Sequence, residues 1–279
     1  MRIETAMQQQ AQPAPVFRLR LARQPQDVAR AQALRGRAFH GAGAGPDGDA
    51  LDTRCLHLLV EEADSGRLAA CCRVLPLADG AEAARASYSA RFYGLDGFAR
   101  LRWPMLEIGR FCTAPGQGAP EALRLIWAGI ASLAEDHEAR LLFGSASFAG
   151  VDPGRHGRAL ACLAARHLAP PELAPTRRAP ELHVFAREGS GQGAPATPAA
   201  VQRDLLAVPP LLRGYLALGA RVSDHAVIDR QMNTLHVLTL LDVGWIPPAR
   251  ARMLRALAAR VAPDMALRDG RAKPAAARP

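Results

Sequence analysis

Two charged residues, Glu107 and Arg110, stand three positions apart in an otherwise apolar stretch, PMLEIGRFCT, that reads as a buried strand. An unpaired buried charge is costly, so a carboxylate and a guanidinium in such a strand must be paired, solvated or used chemically. Residues i and i+3 leave opposite faces of a regular strand, which weakens a direct ion pair unless a bulge intervenes. A second group of charges comes earlier: Arg35, then Asp49-x-x-Asp52 after a Gly-rich loop, then Arg73. Acidic residues after such a loop commonly solvate a turn or cap a helix. Other chemistries find little support. The five cysteines, Cys55, Cys71, Cys72, Cys112 and Cys162, form no C-x-x-C pair, so neither a zinc site nor a disulfide framework is indicated. Cys55 and His57 share a strand face without a further ligand at metal spacing, Cys112 reads as an inert core thiol, and FGSASFAG lacks the flanking glycines of a serine-hydrolase elbow. No metal site is expected.

The elements that must position these residues follow from periodicity. VFRLRLA alternates like a strand, and QPQDVARAQALRGRAF has helical spacing at Val28, Ala31, Leu34 and Phe39. CLHLLVEE and RLAACCRVLPL, separated by ADSG, predict a hairpin, and a helical segment over 83–93 leads into the Glu107 strand. APEALRLIWAGIASLAEDHEA carries the clearest helical pattern, with Pro120 suited to its first turn. Strand RLLFGSASF, helix GRHGRALACLAARHL, strand LHVFAR, helix PPLLRGYLALG and strands RVSDHAVID and TLHVLTLL complete the order. This mixture predicts an α+β or three-layer α/β/α domain. The domain is expected over 16–246, after a flexible N-terminus at 1–15 and with a flexible insertion near 188–200. A basic C-terminal helix and disordered tail are expected over 247–279.

Composition narrows the partners. A chain of 279 residues with 49% hydrophobic content can bury a substantial core. Its longest apolar run, 125–134, is too short to span a bilayer, and its N-terminus lacks the apolar centre of a secretory signal, so a cytoplasmic protein is expected. The net charge of +9 favours acidic partners: nucleic acid, anionic lipid headgroups or an acidic carrier protein. Aromatic residues make up only 5% of the chain, so no nucleic acid is expected. The Arg-rich segment 249–260 leaves a peripheral contact with an anionic inner membrane open.

The series Arg35-x-x-x-Phe39, Asp49-x-x-Asp52, Arg73 and Glu107-x-x-Arg110 resembles, in order and spacing, the pattern of the acyl-homoserine lactone synthases. These are a branch of the N-acetyltransferase (GNAT) superfamily. DALDTRCLHLLV, MLEIGRFCT, LRLIWAGIASLA, LLFGSASFAG and PPLLRGYLALGARVSDHAVIDRQMNT resemble more closely the ornithine lipid synthesis N-acyltransferases, over about residues 18–241. The resemblance implies a GNAT-like α/β/α sandwich around a mixed central sheet, similar to the autoinducer synthases. It also implies transfer of a (3-hydroxy)acyl chain from acyl carrier protein to the α-amine of L-ornithine, giving lyso-ornithine lipid. No bound cofactor is implied; 4′-phosphopantetheine enters as the carrier's prosthetic group.

By the same resemblance Glu107 takes the amine proton through an ordered water, and Gly109 lets the pantetheine arm approach. The N–H of Gly109 or Arg110 would meet the oxyanion. Arg110 joins Arg35, Arg73, Asp49 and Asp52 in a charge cluster at the acceptor end, near Phe39. The two aspartates either hold the side-chain amine of ornithine or form a scaffold of ion pairs. Asp224, Asp229 and Asn233 are implied to line the acceptor pocket. APGQGAPEA departs from the loop with which coenzyme A acetyltransferases bind pyrophosphate, which suits a carrier-protein donor. An acyl-homoserine lactone synthase or another N-acyl amino acid synthase is the alternative enzyme, and a basic membrane- or nucleic-acid-binding protein the alternative outside enzymes.

Overall fold

The computed structural model describes residues 16–115, 119–185 and 203–265. Strand β1 (Phe17–Leu21) buries alternate residues, Leu19 and Leu21, and pairs antiparallel with β2 (Leu56–Glu62). Strand β2 forms the expected hairpin with β3 (Leu68–Leu77), which pairs on its other side with β5 (Met105–Thr113). Here the sheet changes character: β5 runs parallel to β6 (Leu141–Ala149). A parallel neighbour requires a crossover, and α3 (Ala119–Asp136) supplies it. Antiparallel pairing resumes from β6 to β11 (Thr234–Asp242), β10 (His225–Asp229) and β8 (Leu182–Val184). Short β9 (Arg221–Val222) also joins β11, while β4 (Tyr93–Gly94) and β7 (Thr176–Arg177) form a separate pair.

The sheet is covered on both faces. One face packs Leu58, Val60, Cys72, Val74 and Leu106 against Ile126 and Ile130 of α3, with α4 (Gly157–Arg166) and α5 (Pro210–Ala217) in the same core. The opposite face meets α1 (Pro25–His40) around Leu34, Leu59 and Cys71, and α2 (Gly80–Ala86) around Leu75, Phe98 and Phe143. The result is the three-layer α/β/α arrangement around a mixed sheet. Helix α6 (Pro248–Met265) packs on α3 and β1 and buries Leu254 and Ala258, so its described part belongs to the same body as the sheet.

Two elements differ from their sequence patterns. The helix expected over 83–93 stops at Ala86 and is followed by a 3-10 turn at Ser89–Arg91, because the backbone there turns toward Glu107. RVSDHAVID breaks into β9 and β10 at Ser223, whose hydroxyl donates to the His225 carbonyl and accepts from the Leu238 N–H. The N-terminal stretch 1–15, the insertion at 188–200, residues 116–118 of the APGQGAPEA loop and the tail after 265 lie outside the described residues.

Candidate active site

Strands β5 and β6 pair over only three positions, Met105 with Leu141, Leu106 with Leu142 and Glu107 with Phe143. Beyond them β6 keeps its full antiparallel ladder with β11, while β5 stays with β3. The two parallel strands therefore part as a fork just past Glu107. Gly144 sits at the branch: a Cβ there would run into the Ile108 carbonyl, so only glycine lets the strands meet this closely before they diverge. A cavity of about 480 Å³ fills the fork, lined by Ile108, Gly109, Arg110 and Phe111 from β5 and by Ser145, Ala146 and Ser147 from β6.

Glu107 lies at the base of this cavity and is 5% exposed. Its carboxylate accepts the Tyr88 N–H on Oε2 at 2.7 Å and the Ser89 N–H on Oε1 at 2.6 Å. Burial raises its pKa above the ordinary glutamate value, and the hydrogen bonds from Ser89 and Tyr88 offset only part of that effect. The result is a buried carboxylate more basic than one in water.

Arg110 does not pair with Glu107. Between Cys71 and Arg73 the β3–β5 register slips, so Gly109 to Cys112 on β5 carries one residue more than β3. Arg110 takes a left-handed backbone conformation in this bulge, with φ 52°. Its Nε donates to Asp47 at 2.8 Å, and its guanidinium lies 5.1 Å from the Tyr88 ring centre.

The remaining charges form one network behind that arginine. Arg35, 1% exposed, makes a two-pronged pair with Asp52 at 2.9 and 2.8 Å and also donates to the carbonyl and carboxylate of Asp47. Arg73 Nη1 bridges Asp49 at 2.6 Å and Asp52 at 3.0 Å. Asp52 further accepts from Gln32 Nε2 and the Asp49 N–H. Burial would raise the Asp52 pKa, but the hydrogen bonds from Arg35, Gln32 and Arg73 outweigh it and hold the carboxyl well below the usual range. Phe39, Arg73, Gly109 and Arg110 line the cavity, whereas Arg35, Asp49 and Asp52 stand outside its lining. Asp47, which joins Arg35 to Arg110, carries no signal of its own in the sequence, where HGAGAGPDGDALD reads as a plain Gly-rich loop.

The third group of expected residues divides. Asp229 and Asn233 line the cavity from the β10–β11 turn, where Asn233 adopts φ 50° and Asp229 accepts the Met232 N–H at 3.0 Å. Asp224 does not line it: its carboxylate is bonded to Arg177 and His225 and faces a separate hollow beside Leu168 and Phe185. Its place just before β10, two strands away from β6, puts it there. Tyr88, Ser145, Ser147 and His236 also line the cavity. His236 is the one with a readable signal, a titratable side chain in the apolar run TLHVLTLL.

Cys55, His57 and Cys112, near the charge network, are held in packed surroundings. Burial pushes the Cys55 thiol up to about 12, and His57 is a buried ring bonded to the Asp52 carbonyl. Cys112 is buried against Cys71, with the sulfurs 3.6 Å apart. Among the described residues no cluster of three His, Cys, Asp or Glu could hold a metal ion, and no helix is long and apolar enough to cross a membrane.

The chain is similar to known proteins over most of its length. Residues 32–128 match the acetyltransferase (GNAT) domain family. The chain is 32% identical to the L-ornithine N(alpha)-acyltransferase of Rhodobacter capsulatus over 242 residues, covering 81% of this chain and 90% of that protein. The enzyme of the same name from Rhizobium meliloti is 33% identical over 244 residues, 81% of this chain and 80% of the relative. A fainter likeness, TM-score 0.44 at 12% identity, covers 88% of this chain and 99% of an N-acyl amino acid synthase from uncultured soil microbes. With a GNAT domain and relatives of this identity and coverage, the chain is an acyltransferase and belongs to the L-ornithine N(alpha)-acyltransferase family.

Proposed function

We propose that this protein transfers a (3-hydroxy)acyl chain from acyl carrier protein to the α-amine of L-ornithine, the first step of ornithine lipid synthesis, giving lyso-ornithine lipid. The observation that supports it best is the buried carboxylate of Glu107 at the base of a fork in the sheet. An α-amine is mostly protonated at neutral pH and cannot attack in that form. Glu107, made more basic by burial, takes the proton through an ordered water, while the Tyr88 and Ser89 N–H groups fix the carboxylate in place. The freed amine adds to the thioester carbonyl, the C–N bond forms, the C–S bond breaks, and the carrier's thiol leaves with a proton.

The fork suits the pantetheine arm of such a donor. Past Glu107 the edge of β5 toward β6 has no strand partner, so its backbone groups are available to the amides of an inserted arm and to the oxyanion. A Cβ on Gly109 would meet nothing nearer than Arg73 Nε at 3.9 Å, so the protein's own packing does not require glycine there. An arm lying against the strand does. The net charge of +9 suits an acidic carrier.

The reading is tested on lipid extracts of cells expressing the chain, analysed by mass spectrometry, and on purified protein with acyl carrier protein thioester and ornithine. Acylated ornithine is expected. Glu107→Gln should stay folded and lose about 10²- to 10⁴-fold in turnover, the usual contribution of a general base. A folded variant with wild-type turnover overturns the role of Glu107. A homoserine lactone in the medium without an amino-acid lipid in the cells overturns the acceptor.

A further inference from the structure

His236 is 3% exposed, lines the cavity, and has an Nε2 with no hydrogen-bond partner. Its tautomer is fixed by a neighbour. The Tyr93 hydroxyl lies 2.8 Å from the His236 carbonyl oxygen and 3.0 Å from its Nδ1. A hydroxyl has one hydrogen, and the carbonyl can only accept, so Tyr93 donates to the carbonyl and Nδ1–H donates to Tyr93. That leaves Nε2 as a bare lone pair. Burial pushes the ring down to about 4, so it is a neutral acceptor at physiological pH.

Asp229, on the neighbouring strand β10, lines the same cavity and is close enough to raise the His236 pKa partway back. The Ser145 hydroxyl, buried and also without a partner, is a third polar group on that wall. This polar end is remote from the proposed base. Glu107 pairs with Phe143, Phe143 with Leu240, and His236 lies four residues further along β11. At about 4.8 Å per strand and about 3.3 Å per residue the two Cα atoms are roughly 16 Å apart. No single amine reaches both side chains; a diamino acid, with nitrogens about 6 Å apart, bridges them when the side chains lean toward one another and the ordered water at Glu107 fills the remainder. The short segment from Tyr88 to Tyr93 ties the two ends together, bonding Glu107 through Tyr88 and Ser89 and His236 through Tyr93.

We infer that His236 Nε2 and the Asp229 carboxylate form the seat for the distal ammonium of the acceptor, and so select a diamino acid over an amino acid with an uncharged tail. The ammonium donates to the imidazole lone pair while Asp229 supplies the opposite charge. This rests on the proposed acylation of ornithine, and the test separates the two. Wild-type protein is assayed with acyl carrier protein thioester and either ornithine or norvaline, which lacks only the distal amine. Acylation of neither overturns the acceptor reading and the seat with it; equal use of both overturns the seat and leaves acyl transfer standing.

With ornithine preferred, His236→Phe keeps a ring beside Phe92 and should raise the KM for ornithine about ten- to a hundredfold, the cost of one lost charge-assisted hydrogen bond. The KM for the carrier should stay put and the preference over norvaline should shrink. Tyr93→Phe removes one oxygen and lets the proton move to Nε2, so a smaller loss in the same direction is expected. Unchanged ornithine KM and preference in a folded His236→Phe overturns the seat, and Tyr93→Phe decides by the same criterion if His236→Phe does not fold.

Discussion

Replacing Asp52 with Asn tests whether the charge cluster is scaffold or substrate seat. The Asp52 carboxylate takes two bonds from Arg35, one from Arg73, one from Gln32 and one from the Asp49 N–H, all at 3.2 Å or less, and its side chain is 5% exposed. Asn keeps one acceptor oxygen but turns an NH2 group toward guanidinium donors, leaving two buried cations underpaired. Breaking a buried pair from one side costs about 3–5 kcal/mol. At about 2–4 °C per kcal/mol for a domain of this size, the melting temperature should fall by roughly 10 °C.

The pH dependence has a definite sign. The folded pKa of Asp52 is held below its unfolded value of about 3.9, so its stabilisation is complete above that value and is lost as pH falls toward the folded pKa. The gap between wild type and Asp52→Asn should therefore be full at pH 7 and narrow below about pH 4. Thermal melts at several pH values, read alongside the KM for ornithine, make the assay. A variant that melts within about 2 °C of wild type at pH 7 refutes the stability reasoning. If its ornithine KM has also risen, Asp52 faces substrate after all.

Three further outcomes follow from the same geometry. Because Glu107 must be ionised to act and burial raises its pKa, kcat/KM should climb with pH through a value above that of an ordinary glutamate; Glu107→Gln should lack that limb, and its persistence in the variant would assign it elsewhere. If the +9 charge recruits an acidic carrier, the KM for acyl carrier protein should rise with salt while turnover of a short pantetheine thioester barely responds; equal sensitivity removes carrier recognition. Gly144→Ala would drive a methyl group into the Ile108 carbonyl at the branch of the fork, so a lower melting temperature with a further loss of donor turnover is expected, and a wild-type enzyme would show that the fork is not held open there.

Most of the fold was legible because local preference and tertiary position agree. Alternation identified β1 and the β2–β3 hairpin, and helical spacing identified α1 and α3. Of the two exceptions, one lies beside Glu107 and the other at Ser223. The helix expected over 83–93 gives way where Tyr88 and Ser89 donate their N–H groups to that carboxylate across the sheet face, a demand invisible to any window of neighbouring residues. The i, i+3 spacing of Glu107 and Arg110 makes a bulge the condition for a direct pair, and a bulge is present. No such pair forms, because Arg110 turns away from Glu107 to Asp47.

The site shows the same division between type and direction. The family resemblance grouped Arg35, Asp49, Asp52, Arg73 and Arg110, and the structure joins these five in one network of ion pairs. The resemblance could not say which of them face the cavity, since that depends on how the Gly-rich loop lies over α1, and Gly36 admits the Gly45 carbonyl only by lacking a side chain. His236 carried the same mark as Glu107, one titratable residue inside an apolar strand. A lone buried histidine is usually satisfied by its neighbours, so the pattern by itself does not single it out. What distinguishes it is the Tyr93 hydroxyl, 143 residues away, whose single hydrogen decides which imidazole nitrogen faces the substrate.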